Sequence, residues 1–352
     1  VTGGAGYIGS HAVKALIEKG HEPIVVDNLI YGHKWIIDEL FKVPFCKCSV
    51  GDQKVIKSII NGSHNCLINT IHEGKFIEGV IHFAAFAYVG ESVKNPLKYY
   101  RNNVIETINL LELLISPLNK NNSRESFNIP IVFSSTCATY GEPTQIPILE
   151  EIPQNPINPY GRTKLIIENV LKDLSFSSDL DFIILRYFNA AGASSDSSIG
   201  ELHNPETHLI PLVIEAAMEE KASLKVFGTD YDTPDGTCIR DYIHIKDICD
   251  AIYQGIKLIE KNNVKSILNL GNGKGNSNLD ILKCIMKISK KKMLFRFFPK
   301  RKGDQPKLVC NIQKSKRVLN WRPRYSSLNN IIKNEMVWSN FLIKKKYNRK
   351  FT

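Results

Sequence analysis

The chain opens on Thr2-Gly3-Gly4-Ala5-Gly6-Tyr7-Ile8-Gly9, a glycine loop of form G-x-x-G-x-x-G that runs straight into a helical pattern. No other feature restricts the fold as tightly. Side chains would hold a phosphate away, so the glycines let backbone N–H groups approach a pyrophosphate, and the following helix presents its positive N-terminal end to it. The helix predicted over about residues 9–19 places Ile8, Ala12, Ala15 and Leu16 on one face, and the apolar strand Pro23-Ile24-Val25-Val26 follows it. That strand ends at Asp27, 18 positions beyond Gly9, where a carboxylate accepts from adenosine ribose hydroxyls and repels a 2′-phosphate. The unit predicts NAD rather than NADP.

Short apolar runs alternate with helical patterns through residues 1–190, the signature of an α/β doubly wound parallel Rossmann sheet. Strands are expected at Ile24–Val26, Phe45–Cys48, Gly79–Phe83, Ile131–Ser134 and Phe182–Leu185. Long helices are expected over residues 95–116 and 160–174, with Asn61–Lys75 and Asn119–Asn128 as enlarged loops. From Asn189 the pattern loosens, so a second, smaller α/β substrate-binding domain is expected. Ser266–Leu270 reads as a strand there, and Gly271-Asn-Gly273-Lys-Gly275 as a tight backbone turn. The expected division is a nucleotide-binding domain of residues 1–188 plus about 239–265, and a second domain of 189–238 and 266–352.

A chain of 352 residues suits two lobes, since single cores stop growing near ~250–300 residues. Its net charge of +11 is dispersed, concentrating mainly in Lys290–Lys292, Lys300-Arg301-Lys302 and Lys344–Lys346, with no nucleic-acid motif beside it. Binding to nucleic acid is therefore not expected. The eight cysteines form no C-x-x-C pair and no zinc spacing with His, so reduced thiols of a cytoplasmic protein and no metal site are expected. No apolar run reaches the ~18 residues of a membrane span. Val1 falls inside the first strand of the nucleotide motif, so the natural chain is expected to begin earlier, leaving any targeting segment open.

Tyr160-Gly-Arg-Thr-Lys164 sets a phenol and an ammonium four apart on one helix face. A free tyrosine has a pKa near ~10, so a phenolate base at neutral pH needs the lysine and a positive nicotinamide ring to favour it. By itself Y-x-x-x-K is a common surface pair. Just upstream, Ile131-Val-Phe-Ser134-Ser135-Thr136 is an apolar strand ending in three hydroxyls, and α/β sheets bind ligands at the carboxyl ends of strands. Thr136 can there bridge a substrate oxygen and Tyr160, while Pro159 suits the first turn of the helix.

The glycine loop, Phe83-Ala-Ala, Val89-Gly-Glu-Ser92, Ser134–Gly141, Asn158–Lys164, Leu185–Asn189 and Gly236–Ile243 together resemble the UDP-glucose (UDP-galactose) 4-epimerase family of the extended short-chain dehydrogenases. The resemblance runs from Val1 to about Trp321. It implies reversible NAD-dependent epimerisation at C4 of a UDP-sugar through a transient 4-keto intermediate. It also implies catalytic Tyr160, Lys164 and Thr136, with NAD surrounded by Gly3, Gly6, Tyr7, Ile8, Gly9, Asp27, Asn28, Asp52, Phe83, Ala84, Ala85, Asn102, Ser134, Tyr160, Lys164 and Tyr187. By the same resemblance Asn189, Arg240 and Arg301 hold the diphosphate. Leu209 and Phe227 flank the uracil, Asp304 accepts from ribose hydroxyls, and His208 joins Thr136 among the substrate-binding residues.

Sugar dehydratases resemble this chain except for an Asp-Glu pair after the threonine, where Cys137 and Ala138 stand here and cannot shuttle protons as carboxyls do. UDP-glucuronate decarboxylases carry a glutamate that this chain lacks. Ser134–Pro143 and Gly228–Tyr231 also resemble the UDP-arabinose/UDP-xylose 4-epimerases, whereas Glu206–Pro211 resembles the hexose branch. Leu308, at the family's pocket wall, leaves UDP-GlcNAc open. Ala87 departs from members with lysine there. A non-catalytic NAD-binding regulator is the rival from another class. The family resemblance further implies a homodimer joined through the helices of about 95–116 and 160–176.

Overall fold

The computed structural model describes residues 1–115, 128–219, 224–261, 263–300 and 305–344. Two compact units divide the chain: the first comprises Val1–Gly141, Gln154–Arg186 and Ile252–Leu268, the second Glu142–Pro153, Tyr187–Ala251 and the chain from Asn269 onward.

In the first unit, Val25–Asp27 pairs in parallel with Phe45–Lys47, and Val80–His82 with Ile131–Thr136; the sheet continues through Phe182–Tyr187 to Lys265–Leu270. Val1–Gly3 joins these two parts. Thr2 bridges in parallel to both Val26 and His82, with Gly3 N donating to Val26 O at 2.8 Å and Phe83 N to Thr2 O at 3.0 Å. The strand order therefore reverses at Thr2, and the glycine loop leaves the sheet at that switch point, as in a doubly wound fold. Ile131–Thr136 and Phe182–Tyr187 are buried along their whole length, as strands covered on both faces must be. Ala12, Val13 and Leu16 of the helix Tyr7–Glu18, Leu110, Leu111 and Leu114 of Glu106–Ile115, and Ile167 and Leu171 of Pro159–Ser178 supply the buried apolar faces of the covering helices.

Local chemistry changes two expected elements. The single helix expected over 95–116 is built from a helical turn Pro96–Tyr99, a π-helical stretch Tyr100–Ile105 and the α-helix Glu106–Ile115, with a separate short helix Val89–Lys94 before it. The π stretch carries Asn103 inward, where its amide accepts from Phe86 N at 2.8 Å and donates to Phe86 O at 3.0 Å and Thr163 Oγ1 at 3.2 Å. The polar segment Asn61–Lys75 contains the turn Asn65–Leu67, whose Leu67 is fully buried. Next to Leu67, Cys66 is joined to Cys46 in a disulfide, which corrects the expectation that all the cysteines are thiols. The pair spans 20 residues between a strand and a loop, a contact that no local spacing rule registers. Of the Asn119–Asn128 loop, only Asn128 lies within the described residues.

In the second unit, Ile239–His244 is the central strand. Asn189–Ala191 and Lys307–Leu308 pair with it in parallel and Gly275–Ser277 antiparallel, while Leu224–Phe227 pairs in parallel with Phe295–Phe298. The helices Leu209–Glu219, Asn278–Ser289 and Leu328–Lys344 share a core of Ile210, Val213, Ile214, Ile281, Leu282, Ile285, Ile331 and Ile332. Ser277 starts the second of these helices through a capping box: its hydroxyl accepts from Asp280 N at 3.0 Å, and the Asp280 carboxylate accepts from Ser277 N at 2.9 Å. The Gly271–Gly275 segment is a turn, held by Asn272 N and Gly273 N donating to the buried Asp241 carboxylate at 2.6 and 2.9 Å. No helix among the described residues is long and apolar enough to cross a membrane.

Candidate active site

The glycine loop carries the first half of the site. Gly3 has φ of +69°, and a Cβ there would stand 2.6 Å from Ala84 N, so the loop must be bare to lie against Phe83 and Ala84. At Gly9 a Cβ would meet Gly3 O at 2.1 Å. Gly6 differs, since its Cβ would meet nothing nearer than Gly3 O at 3.4 Å, so packing within the protein does not demand a glycine there. Gly6 is also the N-cap of Tyr7–Glu18 and gives that helix no side-chain cap. Tyr7 and Ile8 form its first turn. These bare N–H groups at a helix N-terminus are the surroundings a pyrophosphate requires, so the residues present fit a dinucleotide.

Asp27 ends its strand at the same edge, and its carboxylate accepts from Ala5 N at 3.1 Å and Leu29 N at 2.8 Å. Burial raises its pKa, while those two donors and His33 oppose the rise. Each oxygen retains a lone pair for a hydroxyl donor. Asn28 Oδ1 accepts from Ile30 N at 3.1 Å, and the exposed Asp52 caps the helix Gln53–Ile60 by accepting from Val55 N at 3.1 Å. Phe83, Ala84 and Ala85 follow the strand Val80–His82, and Asn102 donates to Asn103 Oδ1 at 2.9 Å.

The strand Ile131–Thr136 and the helix Pro159–Ser178 bring Ser134, Thr136, Tyr160 and Lys164 together. Asn158 caps the helix by accepting from Gly161 N at 2.8 Å, so Pro159 and Tyr160 lie in its first turn. Tyr160 N donates to the hydroxyl of the fully buried Ser92 at 3.2 Å, which fixes the entry of the helix. Thr136 Oγ1 accepts from Ala138 N at 3.2 Å, which leaves its own proton free to donate on the Tyr160 side. Burial pushes the phenol up to about 12; the neighbouring Thr136 hydroxyl favours the anion and Cys137 disfavours it. Lys164 Nζ donates to Ser134 O at 2.7 Å and lies 4.9 Å from the centre of the Phe133 ring. Burial pulls this amine down to about 7, with the field of Glu168 acting the other way. Cys137 and Ala138, where a dehydratase would need its acid and base, lie in the turn Cys137–Thr139.

Behind these groups lies a buried network that sequence reasoning missed. Glu168 accepts from Arg186 Nη2 at 2.7 Å and Arg186 Nε at 3.0 Å, from Ser135 Oγ at 2.5 Å and from Gln154 Nε2 at 3.1 Å; Arg186 also donates to Tyr140 Oη at 2.7 Å. It ties the helix of Tyr160 and Lys164 to the strand of Ser134 and Thr136 and to the strand Phe182–Tyr187. A long helix with a Glu in its apolar stripe was the available signal.

The second unit gathers Asn189, His208, Leu209, Phe227 and Arg240 around one cavity of about 230 Å³. Arg240 Nη1 donates to Ile239 O at 3.0 Å and Gln305 O at 2.7 Å, which fixes the guanidinium at this wall. Leu308 pairs with Arg240 across the strands, and the buried Tyr187 ends Phe182–Tyr187. Arg301 and Asp304 lie outside the described residues.

Residues 1–271 match the model of the NAD dependent epimerase/dehydratase family. The UDP-glucose 4-epimerase of Lacticaseibacillus casei is 41% identical over 339 residues, covering 96% of this chain and 95% of that protein. Among solved structures, the UDP-glucose 4-epimerase of Brucella ovis in complex with NAD is 40% identical with a TM-score of 0.84, covering 95% of each chain. That of Stenotrophomonas maltophila, with bound NAD and formylated UDP-arabinopyranose, is 31% identical with a TM-score of 0.87, covering 98% of each. The chain belongs to the NAD dependent epimerase/dehydratase family and, within it, to the UDP-glucose 4-epimerases.

Proposed function

We propose that this chain interconverts UDP-glucose and UDP-galactose by reversible inversion at C4, with NAD as its cofactor. One observation carries the reading: Thr136 ends a buried central strand whose Ser134 carbonyl holds Lys164 Nζ at 2.7 Å, on the helix that also carries Tyr160 in its first turn. When bound at the glycine loop, NAD supplies the acceptor and donor of hydride at C4. Tyr160, aided by Thr136, takes the proton of the C4 hydroxyl, and a 4-keto sugar results. Lys164, when protonated, adds its positive field to that of the nicotinamide in making phenolate accessible. The keto sugar turns about its phosphate link while the uridine diphosphate stays held, and Tyr160 returns the proton after its other face is reduced. The cycle has no net redox change.

The first unit is read as the NAD domain and the second as the UDP-sugar domain. In the second unit Asn189 and Arg240 hold the diphosphate by charge-assisted hydrogen bonds, Leu209 and Phe227 flank the uracil, and His208 lines the same cavity. The active form is read as a homodimer. Leu97, Ile105 and Ile166 are exposed apolar side chains on the two packed helical stretches Pro96–Ile115 and Pro159–Ser178, which supports a four-helix contact.

The test is incubation of the purified chain with UDP-galactose, UDP-arabinose and UDP-N-acetylglucosamine in separate reactions without added NAD. UDP-galactose is expected to convert to UDP-glucose fastest. Release of NAD on denaturation with no conversion of any sugar would instead establish a non-catalytic NAD-binding protein.

A further inference from the structure

We propose that Glu201, His203, Glu206 and His208 form a binding site for a divalent transition-metal ion of the zinc class. The four side chains come from one short stretch, Glu201-Leu-His203-Asn-Pro-Glu206-Thr-His208, in which a Glu-x-His pair occurs twice. The fold turns the second pair onto the first, so that one ligand atom from each residue lies within 4.8 Å of all the others. His203 Nδ1 stands 2.8 Å from Glu201 Oε1. His208 Nδ1 contacts that same oxygen and lies 3.4 Å from Glu206 Oε1. Ligands about 2.0–2.2 Å from a tetrahedral ion lie roughly 3.3 Å apart, so movements well under the width of an atom admit one.

A separate observation points to a cation. The Glu206 side chain is 2% exposed, and its second oxygen, Oε2, is buried with no hydrogen-bond partner among the described residues. A buried carboxylate oxygen left unpaired is costly, and a positive ion beside it removes that cost. The donor set selects the ion. Two imidazole nitrogens with two carboxylates suit zinc, whereas magnesium and calcium favour oxygen throughout. The two carboxylates also neutralise a divalent charge.

The ligands are held in advance. Trp338 Nε1 donates to Glu201 O at 2.9 Å, and Gly200 packs under the same indole so closely that a Cβ would stand 2.5 Å from its ring. Glu206 Oε1 accepts from Thr207 N at 2.7 Å and His208 N at 2.8 Å, which orients the second pair. Both histidines present Nδ1, so Nε2 of His208 remains for the cavity that His208 lines. Among the described residues, the other gathering of ligand atoms, Cys46, His64 and Cys66, has its two sulfurs bonded to each other. The metal site does not rest on the epimerase reading, although its ligand His208 lines the cavity that reading assigns to the UDP-sugar.

The experiment strips the full chain of metal with dipicolinate, titrates it with Zn²⁺ by calorimetry, and records the visible spectrum with Co²⁺. One Zn²⁺ per chain is expected with micromolar or tighter affinity, together with a tetrahedral Co²⁺ band. His203→Ala and the isosteric Glu206→Gln should each weaken Zn²⁺ binding at least tenfold, while Cys46→Ser with Cys66→Ser should leave it unchanged. Circular dichroism checks that each variant folds; if His203→Ala does not, Glu206→Gln decides alone. Absence of binding to the unmodified chain, or equal binding to Glu206→Gln, would overturn the proposal.

Discussion

Lys164 Nζ donates to the Ser134 carbonyl at 2.7 Å, so the ammonium is fixed to the strand that ends in Thr136. Burial holds this amine near 7 against an ordinary 10.5. Below about 7 the amine is charged in both the folded and unfolded chain. Between about 7 and 10.5 only the unfolded chain keeps the proton, so the NAD-free protein gains stability as pH rises through that window. Lys164→Met removes the titrating group. Urea midpoints at pH 6.5 and 9.5 should rise for the unmodified protein relative to the variant, and parallel behaviour would count against a buried neutral amine.

The same burial places the Tyr160 phenol near 12 in the NAD-free protein, neutral at physiological pH. Catalysis by phenolate therefore requires the positive charge of the cofactor. The absorbance titration at 295 nm, taken as the difference between the unmodified protein and Tyr160→Phe, should have its midpoint near 12 without NAD and below the ordinary value of about 10 with it. An unmoved midpoint would remove the cofactor from the activation of the phenol.

Glu168 and Arg186 form a buried ion pair at 2.7 Å beneath the catalytic helix. Breaking one partner leaves the other charge uncompensated, so Glu168→Gln should destabilise the protein by about 3 kcal/mol. Denaturant unfolding measures it, and a loss below about 1 kcal/mol would show the pair to be a minor contributor.

Leu97 and Ile166 are exposed on the two helical stretches assigned to the dimer. Leu97→Asp with Ile166→Asp puts charge where apolar contact is proposed and should halve the mass seen by light scattering. An unchanged mass would place the subunit contact elsewhere or exclude it.

The glycine loop, the hydroxyl-ended strand and the Tyr160–Lys164 spacing were legible in the sequence because each works within one element and its neighbour. The remainder depends on partners far apart in the chain. Asn103 meets Thr163 across 60 positions, Arg186 meets Tyr140 across 46, and Cys46 meets Cys66 across 20. Periodicity shows which face of a helix is apolar, and Glu168 in such a face looks like an interruption until Arg186 is found beside it. The π stretch at Tyr100–Ile105 was hidden likewise, since it follows from the tertiary need to turn Asn103 inward.

The central claim is that the Tyr160 oxygen carries the proton of the sugar hydroxyl. Its most direct test compares the unmodified chain with Tyr160→Phe, measuring conversion of UDP-galactose to UDP-glucose alongside retained NAD and UDP binding. Turnover should fall by at least about 10²-fold in the variant with both ligands still bound; turnover equal to that of the unmodified chain would contradict the account.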